Sequence, residues 1–470
     1  MTSQHNSDPA GIIFDWKPHP EAQQFLNAIV GEFLSRCPSL PGGGGAADLA
    51  SQMKTIAGTR FFDWIDFIGL ERSPELVKRL ESVGFTRTPQ PGAPDCFVHH
   101  GAMFPAVVLS SRKEMVVGIK VDSAADFASC WRLPPGTPIT GEPFGQFRTV
   151  LAFTGDRAEL VAVERHGYRG FEPRAPDPAR ALRSVRHLEN LRRRRRDFAD
   201  DAQGFAHARK LVEEAITDLG ADWACDLFFQ AEREYWGRRN RAAQVQKARQ
   251  DRLGLGWANH DHHTYRCSRR NFTLLIGLLE LMGFRCRERF YAGAEAGWGA
   301  QVVEQPVAGI TIFADVDMSP EELLGDFAHT PMVEREALGT IGLWCALHGE
   351  AMLQAGMHHL ECQFDWHALK EQLEREAGIK TMDPFTTFPF LRQAFTEGER
   401  WVVSEERLAR LLASGQITGD QAELFRTKGA LGSHLENLER NDGFKGFNQQ
   451  GVSAIISKTD PRKQAVASGA

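Results

Sequence analysis

The run Trp257-Ala258-Asn259-His260-Asp261-His262-His263-Thr264-Tyr265-Arg266-Cys267-Ser268 decides how the chain is read. It reads as a strand, and side chains alternate across a strand. His260, His262, Thr264 and Arg266 therefore share one face, while His263 points away. His262 beside Arg266 offers a metal ligand next to a guanidinium that can grip a carboxylate with two parallel hydrogen bonds. Behind this strand, NFTLLIGLLELMGF (271–284) is an amphipathic helix stopping at Gly283. RERFYAG (287–293), GWGAQVVEQP (297–306) and GITIFADVD (309–317) then read as three strands.

The same order occurs earlier in the chain. FFDWIDFIGL (61–70) alternates as a strand, Ser73-Pro74 opens the helix PELVKRLESVGF, and Gly84 stops it. CFVHHGAMFPAVVL (96–109) and EMVVGIKVD (114–122) follow as strands. Both helices end on an apolar-Gly-Phe step, Val83-Gly84-Phe85 and Met282-Gly283-Phe284. Two such βαβββ-type units face each other in the vicinal-oxygen-chelate architecture, where paired sheets form a metal-holding cup. The expected class is α+β, with a large helical insertion and a helical C-terminal region.

The expected division is an N-terminal helical segment with a Gly-rich linker (1–56) and a first core half (57–135). A connecting and helical insertion (136–256), a second core half (257–340) and the C-terminal region (341–470) follow. Within the insertion, Arg192 to Arg196 precede the acidic DFADD, which favours a solvated helix face over a nucleic-acid contact.

The 470 residues carry a net charge of −6, which gives no global reason to expect nucleic acid or a membrane as partner. No apolar run approaches the roughly 20 residues that span a bilayer. The amino terminus has neither a basic start nor an apolar stretch, so a signal peptide is not expected. The eight cysteines form no C-x-x-C pair and read as reduced thiols, which suits a cytoplasmic address. Cys225 and Cys345 read as core residues.

Iron(II) oxygenases need three protein ligands on one face of the metal, leaving the other positions to substrate and O2. Spacing alone leaves iron, zinc and coincidence open for His-x-His on a strand. His99 and His100 form a second cluster on a strand of the first unit. Glu304, Glu334 and Glu336 are acidic candidates downstream, and His260 or His100 could stand in as ligand. His358 and His359 form a rival pair in a region read as helical, and are taken as structural.

At these residues the chain resembles the bacterial 2-oxoadipate dioxygenase/decarboxylase family, the hydroxyglutarate synthases. FVHHGAMFPAV (97–107) resembles the strand bearing that family's first metal histidine, which implies His99. HHTYRC (262–267) resembles its H-x-T-x-R strand, which implies His262 as metal ligand and Arg266 as its arginine. HTPMVEREALG, from His329, resembles the segment with the metal glutamate, which implies Glu334, or Glu336 without a gap. QGVSAII (450–456) resembles a late segment that contacts substrate, with Val452 in that place.

The resemblance implies Fe(II) held by His99, His262 and Glu334, with O2 as co-substrate. A small 2-oxo acid, chelated beside Arg266, would be oxidatively decarboxylated and hydroxylated. Two departures alter the pocket. Phe104 stands where the family has a carboxylate-binding arginine, and Ile312-Phe313-Ala314-Asp315 replaces a polar strand. Both point to a less acidic substrate than 2-oxoadipate, since a buried carboxylate without a partner is strongly disfavoured. The alternatives are another metal-dependent enzyme of this architecture (an isomerase, lyase or extradiol-type oxygenase) or a metal-free ligand-binding protein.

Overall fold

The computed structural model describes residues 15–39, 44–448 and 456–464. It is an α+β structure built on one eight-stranded and one nine-stranded sheet. The first sheet contains β1 (Ile65–Glu71), β2 (Thr86–Arg87), β3 (Cys96–Val98), β4 (Ala106–Ser110), β5 (Met115–Lys120), β6 (Ile139–Thr140), β7 (Phe147–Gly155) and β8 (Ala158–Arg165). The second contains β9 (His260–Arg266), β10 (Arg285–Tyr291), β11 (Trp298–Gln305), β12 (Ile310–Asp317), β13 (His359–Gln363), β14 (Thr386–Phe388), β15 (Leu391–Phe395), β16 (Glu399–Trp401) and β17 (Ala430–Arg440).

Each sheet is two βαβββ modules joined through their first strands. In each module the last strand returns parallel to the first, as β4 does to β1 and β12 to β9. The first strands of neighbouring modules pair antiparallel, β1 with β5 and β9 with β13. The crossover helices form for local reasons. Ser73 Oγ accepts the Leu76 N–H at 3.1 Å ahead of Pro74–Ser82, and Asp365 accepts the Ala368 N–H at 3.0 Å ahead of Trp366–Ala377. Between the sheets run four helices, Pro178–Arg192, Asp201–Leu219, Ala221–Gly237 and Arg241–Asp251.

The α+β class, the vicinal-oxygen-chelate-like β core and the helical insertion agree with expectation. The two units read from sequence belong to different sheets, however. Each closes its sheet with the module that follows it in the chain, so residues 136–256 also carry β6 to β8. The C-terminal region, besides its helices, carries a whole βαβββ module. That module is hard to see because helices Glu405–Ala413 and Gly419–Lys428 interrupt it before its last strand.

The arginine run differs from expectation in part. Arg192, Arg193 and Arg195 are exposed, but Arg194 is buried and Arg196 half-buried, and both of these bind the buried Glu232 carboxylate. Cys225 and Cys345 are buried as expected. Among the described residues no helix is long and apolar enough to cross a membrane.

Candidate metal centre

Three side chains meet in a single row across the second sheet. His262 on β9 pairs in register with Glu361 on β13, which pairs in register with Glu436 on β17. In-register neighbours share a face with Cβ atoms about 5 Å apart, so the three project together from one surface. One donor atom of each lies within 4.8 Å of the others, and all three residues are buried. His262 Nε2 stands 3.2 Å from Glu361 Oε1.

A register shift fixes the imidazole. Glu361 faces His262 but Cys362 faces His260, which leaves Asp261 as an extra residue in β9. Asp261 thereby reaches its neighbour, and its Oδ2 accepts a hydrogen bond from the His262 Nδ1–H at 2.8 Å. Arg440 binds both Asp261 oxygens at 2.8 and 3.0 Å, and Gln363 adds a bond at 3.0 Å. A carboxylate holding Nδ1 leaves the Nε2 lone pair for a metal ion. The same shift removes His260 from the face it was expected to share, and its ring packs on His263 at 5.2 Å.

The electrostatics suit a cation. Burial lowers the His262 pKa despite Asp261, which favours the neutral, ligating imidazole. Burial drives Glu361 well above the ordinary carboxyl range, with Glu436 adding to the effect, and burial carries Glu436 up to about 8. Without a counter-charge burial favours the protonated acids, and a bound divalent ion would favour the carboxylates that ligate it. Glu361 Oε1 accepts from Thr264 at 2.9 Å, whereas the buried Oε2 has no hydrogen-bond partner. These donors therefore fit a divalent metal ion.

A second row lies one step along, Thr264–His359–His434, again in register. His359 Nε2 approaches Glu361 Oε1 at 2.5 Å and Glu436 Oε2 at 3.9 Å, close enough to compete as a ligand. Taken as structural and helical from sequence, His359 instead begins β13 at the edge of this centre. Arg266 lies further along β9, opposite Asp315 on β12. It is 2% exposed, Nε and Nη1 have no hydrogen-bond partner, and burial lowers its pKa to about 10. Phe313 and Phe447 pack on the His262 ring at 5.0 and 4.9 Å and shield it from water.

The other expected ligands lie elsewhere. His99 sits just after β3 of the first sheet, against His19, Phe85 and Phe104. Burial lowers its pKa to about 4, and neither ring nitrogen has a hydrogen-bond partner. Phe104 is beside it rather than near His262. Glu334 has a side chain 70% exposed, with Arg270 at 3.9 Å, and Glu336 is exposed too. Glu304 pairs with Lys445 at 3.1 Å. The structure thus groups His262 with Glu361 and Glu436, not with His99, which belongs to the first sheet, nor with Glu334, which lies on an exposed loop after β12. Val452 lies outside the described residues.

Glu361 and Glu436 were missed, although the sequence carries a sign of them. His359-Leu360-Glu361 and His434-Leu435-Glu436 are the same triplet, and they pair in register as parallel strands.

No protein-family model matches the chain, and no curated protein matches it. Among solved structures, a glyoxalase superfamily protein from Ralstonia eutropha JMP134 is 12% identical, with a TM-score of 0.32, over 58% of this chain and 99% of its own. A variant of 4-hydroxymandelate synthase from Streptomyces coelicolor is 12% identical, with a TM-score of 0.24, over 86% and 97%. Methylmalonyl-CoA epimerase from Mycobacterium tuberculosis is 12% identical, with a TM-score of 0.22, over 39% and 88%. Likeness this distant says nothing of what this chain binds or converts.

Proposed function

We propose that the second sheet is the active site of a divalent-metal enzyme, with His262, Glu361 and Glu436 as ligands. Its reaction is the Fe(II)- and O2-dependent oxidative decarboxylation and hydroxylation of a small 2-oxo acid. The observation that carries the site is the buried in-register row, with His262 oriented by Asp261. One imidazole and two carboxylates suit a first-row divalent ion and leave positions for other ligands.

Bound iron would supply the site where O2 and the 2-oxo acid react. The chain's own groups do the rest. Arg266, desolvated and lacking partners at two nitrogens, is suited to grip a carboxylate. Asp315, its neighbour on β12, forms no ion pair with the guanidinium, and its buried Oδ1 has no hydrogen-bond partner. Phe313 and Phe447 exclude water from the imidazole side. In the balanced reaction one oxygen atom enters the new carboxylate and the other the new hydroxyl, and CO2 leaves. No separate 2-oxo acid co-substrate is needed.

Protein prepared without air, loaded with Fe(II), tests this through metal content, O2 uptake and CO2 release across aliphatic, aromatic and acidic 2-oxo acids. Failure to take up near-stoichiometric metal removes the site. Metal uptake without O2 consumption leaves a second reading, a metal-dependent isomerase or lyase. Two carboxylates to one imidazole, rather than the reverse, is the observation favouring it.

A further inference from the structure

A cavity of about 600 Å³ separates the two sheets, and its wall also includes residues of the helical insertion. It is distinct from the row of His262, Glu361 and Glu436, none of which lines it. That volume suits a small organic ligand. Most of the charges on its wall are neutralised within the protein. Arg165 binds Asp66 and Arg440 binds Asp261, both at 2.8 Å. Lys445 holds Glu304 at 3.1 Å, and His166 holds Asp226 at 2.9 Å.

Three cations on the wall are different. Lys120 ends β5, Arg169 follows β8, and Arg233 lies on the helix Ala221–Gly237. Among the described residues none of them forms an ion pair or a side-chain hydrogen bond, and Arg233 Nη1 is buried without a partner. Lys120 and Arg169 are exposed and face the cavity, so a ligand entering it can reach both. Desolvation lowers the pKa of both, and the charge of Arg169 lowers that of Lys120 further while Asp66 acts the other way on each. Asp122, also on the wall, accepts the Trp257 N–H at 2.7 Å and forms no ion pair with Arg233.

We propose that this inter-sheet cavity is a binding site for a small anion with two or more negative charges, held by Lys120, Arg169 and Arg233. Unpaired like charges on one cavity wall repel one another, and an anionic ligand with two or more charges would offset that repulsion. The required chemistry is shared by phosphorylated metabolites and polycarboxylates. Because Asp261 forms part of the wall, the cavity lies next to the proposed metal centre without sharing its ligands.

Calorimetric titration of the full chain with pyrophosphate, and separately with citrate, at constant ionic strength tests this. Saturable one-to-one binding is expected, weakened about tenfold or more by K120Q or R233Q. R169Q lies outside the sheets and serves if the other variants fail to fold. R238Q, outside the cavity, should leave binding unchanged. Binding of pyrophosphate alone assigns a phosphorylated ligand, and of citrate alone a polycarboxylate. No saturable binding of either probe, or equal affinity in the folded cavity variants, overturns the proposal.

Discussion

Asp261 and Arg440 meet through paired hydrogen bonds of 2.8 and 3.0 Å, and Asp66 and Arg165 repeat the brace in the other sheet, with Arg165 Nε 3.0 and 2.9 Å from the two Asp66 oxygens. Both aspartates are the extra residue at a register shift in the first strand of a module. Both arginines end the last strand of the partner module. Only Asp261 is followed by a histidine, His262; Phe67 stands at the corresponding place after Asp66.

Asp261→Asn tests the brace as a support of the metal centre. It removes the charge that orients the His262 Nδ1 proton, and losses of such outer partners cost about 10- to 100-fold in metal affinity. The variant also leaves Arg440 buried with a weakened partner, at a cost of about 3–5 kcal/mol if the pair is fully broken. Metal titration and denaturant melts should show both effects, and unchanged metal affinity would separate Asp261 from the centre.

The choice between ligand sets is equally direct. Glu361→Gln and Glu436→Gln should each reduce metal affinity by more than the about 100-fold expected of an outer-shell change. Glu334→Gln should do nothing, since its side chain is 70% exposed. Metal content of each purified variant decides, and loss of metal in the Glu334 variant would restore the assignment implied by family resemblance.

The strand bearing His262 and Arg266 was legible because alternation, a following amphipathic helix and three strands all agree. The glutamates were not legible, for two physical reasons. Glu361 lies in a five-residue strand whose histidines resemble a helical segment, and Glu436 comes after two inserted helices. His99 misled because a strand histidine looks the same whichever sheet it belongs to. Sheet partnership depends on long-range pairing, such as β1 with β5, that local pattern does not encode.

Arg266→Met separates a substrate clamp from a structural arginine. The guanidinium is buried with two unpartnered nitrogens, so a methionine of similar length should leave stability unchanged or raise it. Loss of a charge-assisted carboxylate contact should weaken 2-oxo acid binding by about 1.5–3 kcal/mol, roughly tenfold or more. A destabilised variant with unaltered substrate binding would mark Arg266 as structural.

The first sheet makes its own prediction. Gly118 and Val161 occupy the places matching Glu361 and Glu436, and a Cβ on Gly118 would meet the Phe67 ring at 2.3 Å. With the ligand positions filled by apolar groups, the chain should bind one metal ion rather than two. Gly118→Ala should overpack this sheet and cost about 1–3 kcal/mol in thermal melts while leaving metal stoichiometry unchanged.

The last prediction concerns pH and the joint between β8 and the helical insertion. His166 lies between Asp226 at 2.9 Å and Glu164 at 3.1 Å. Burial alone would lower its pKa, but the bonds to these two carboxylates raise it from 6.5 to about 10. A raised histidine contributes stability that is fully present below its unfolded value and is lost as pH climbs through the folded one. Folding free energy should therefore decline between about pH 6.5 and 10, by an amount on the order of a few kcal/mol. His166→Gln should be less stable at neutral pH and should flatten that decline, which denaturant melts across the interval will show. An equal decline in the variant would place the alkaline sensitivity in another group.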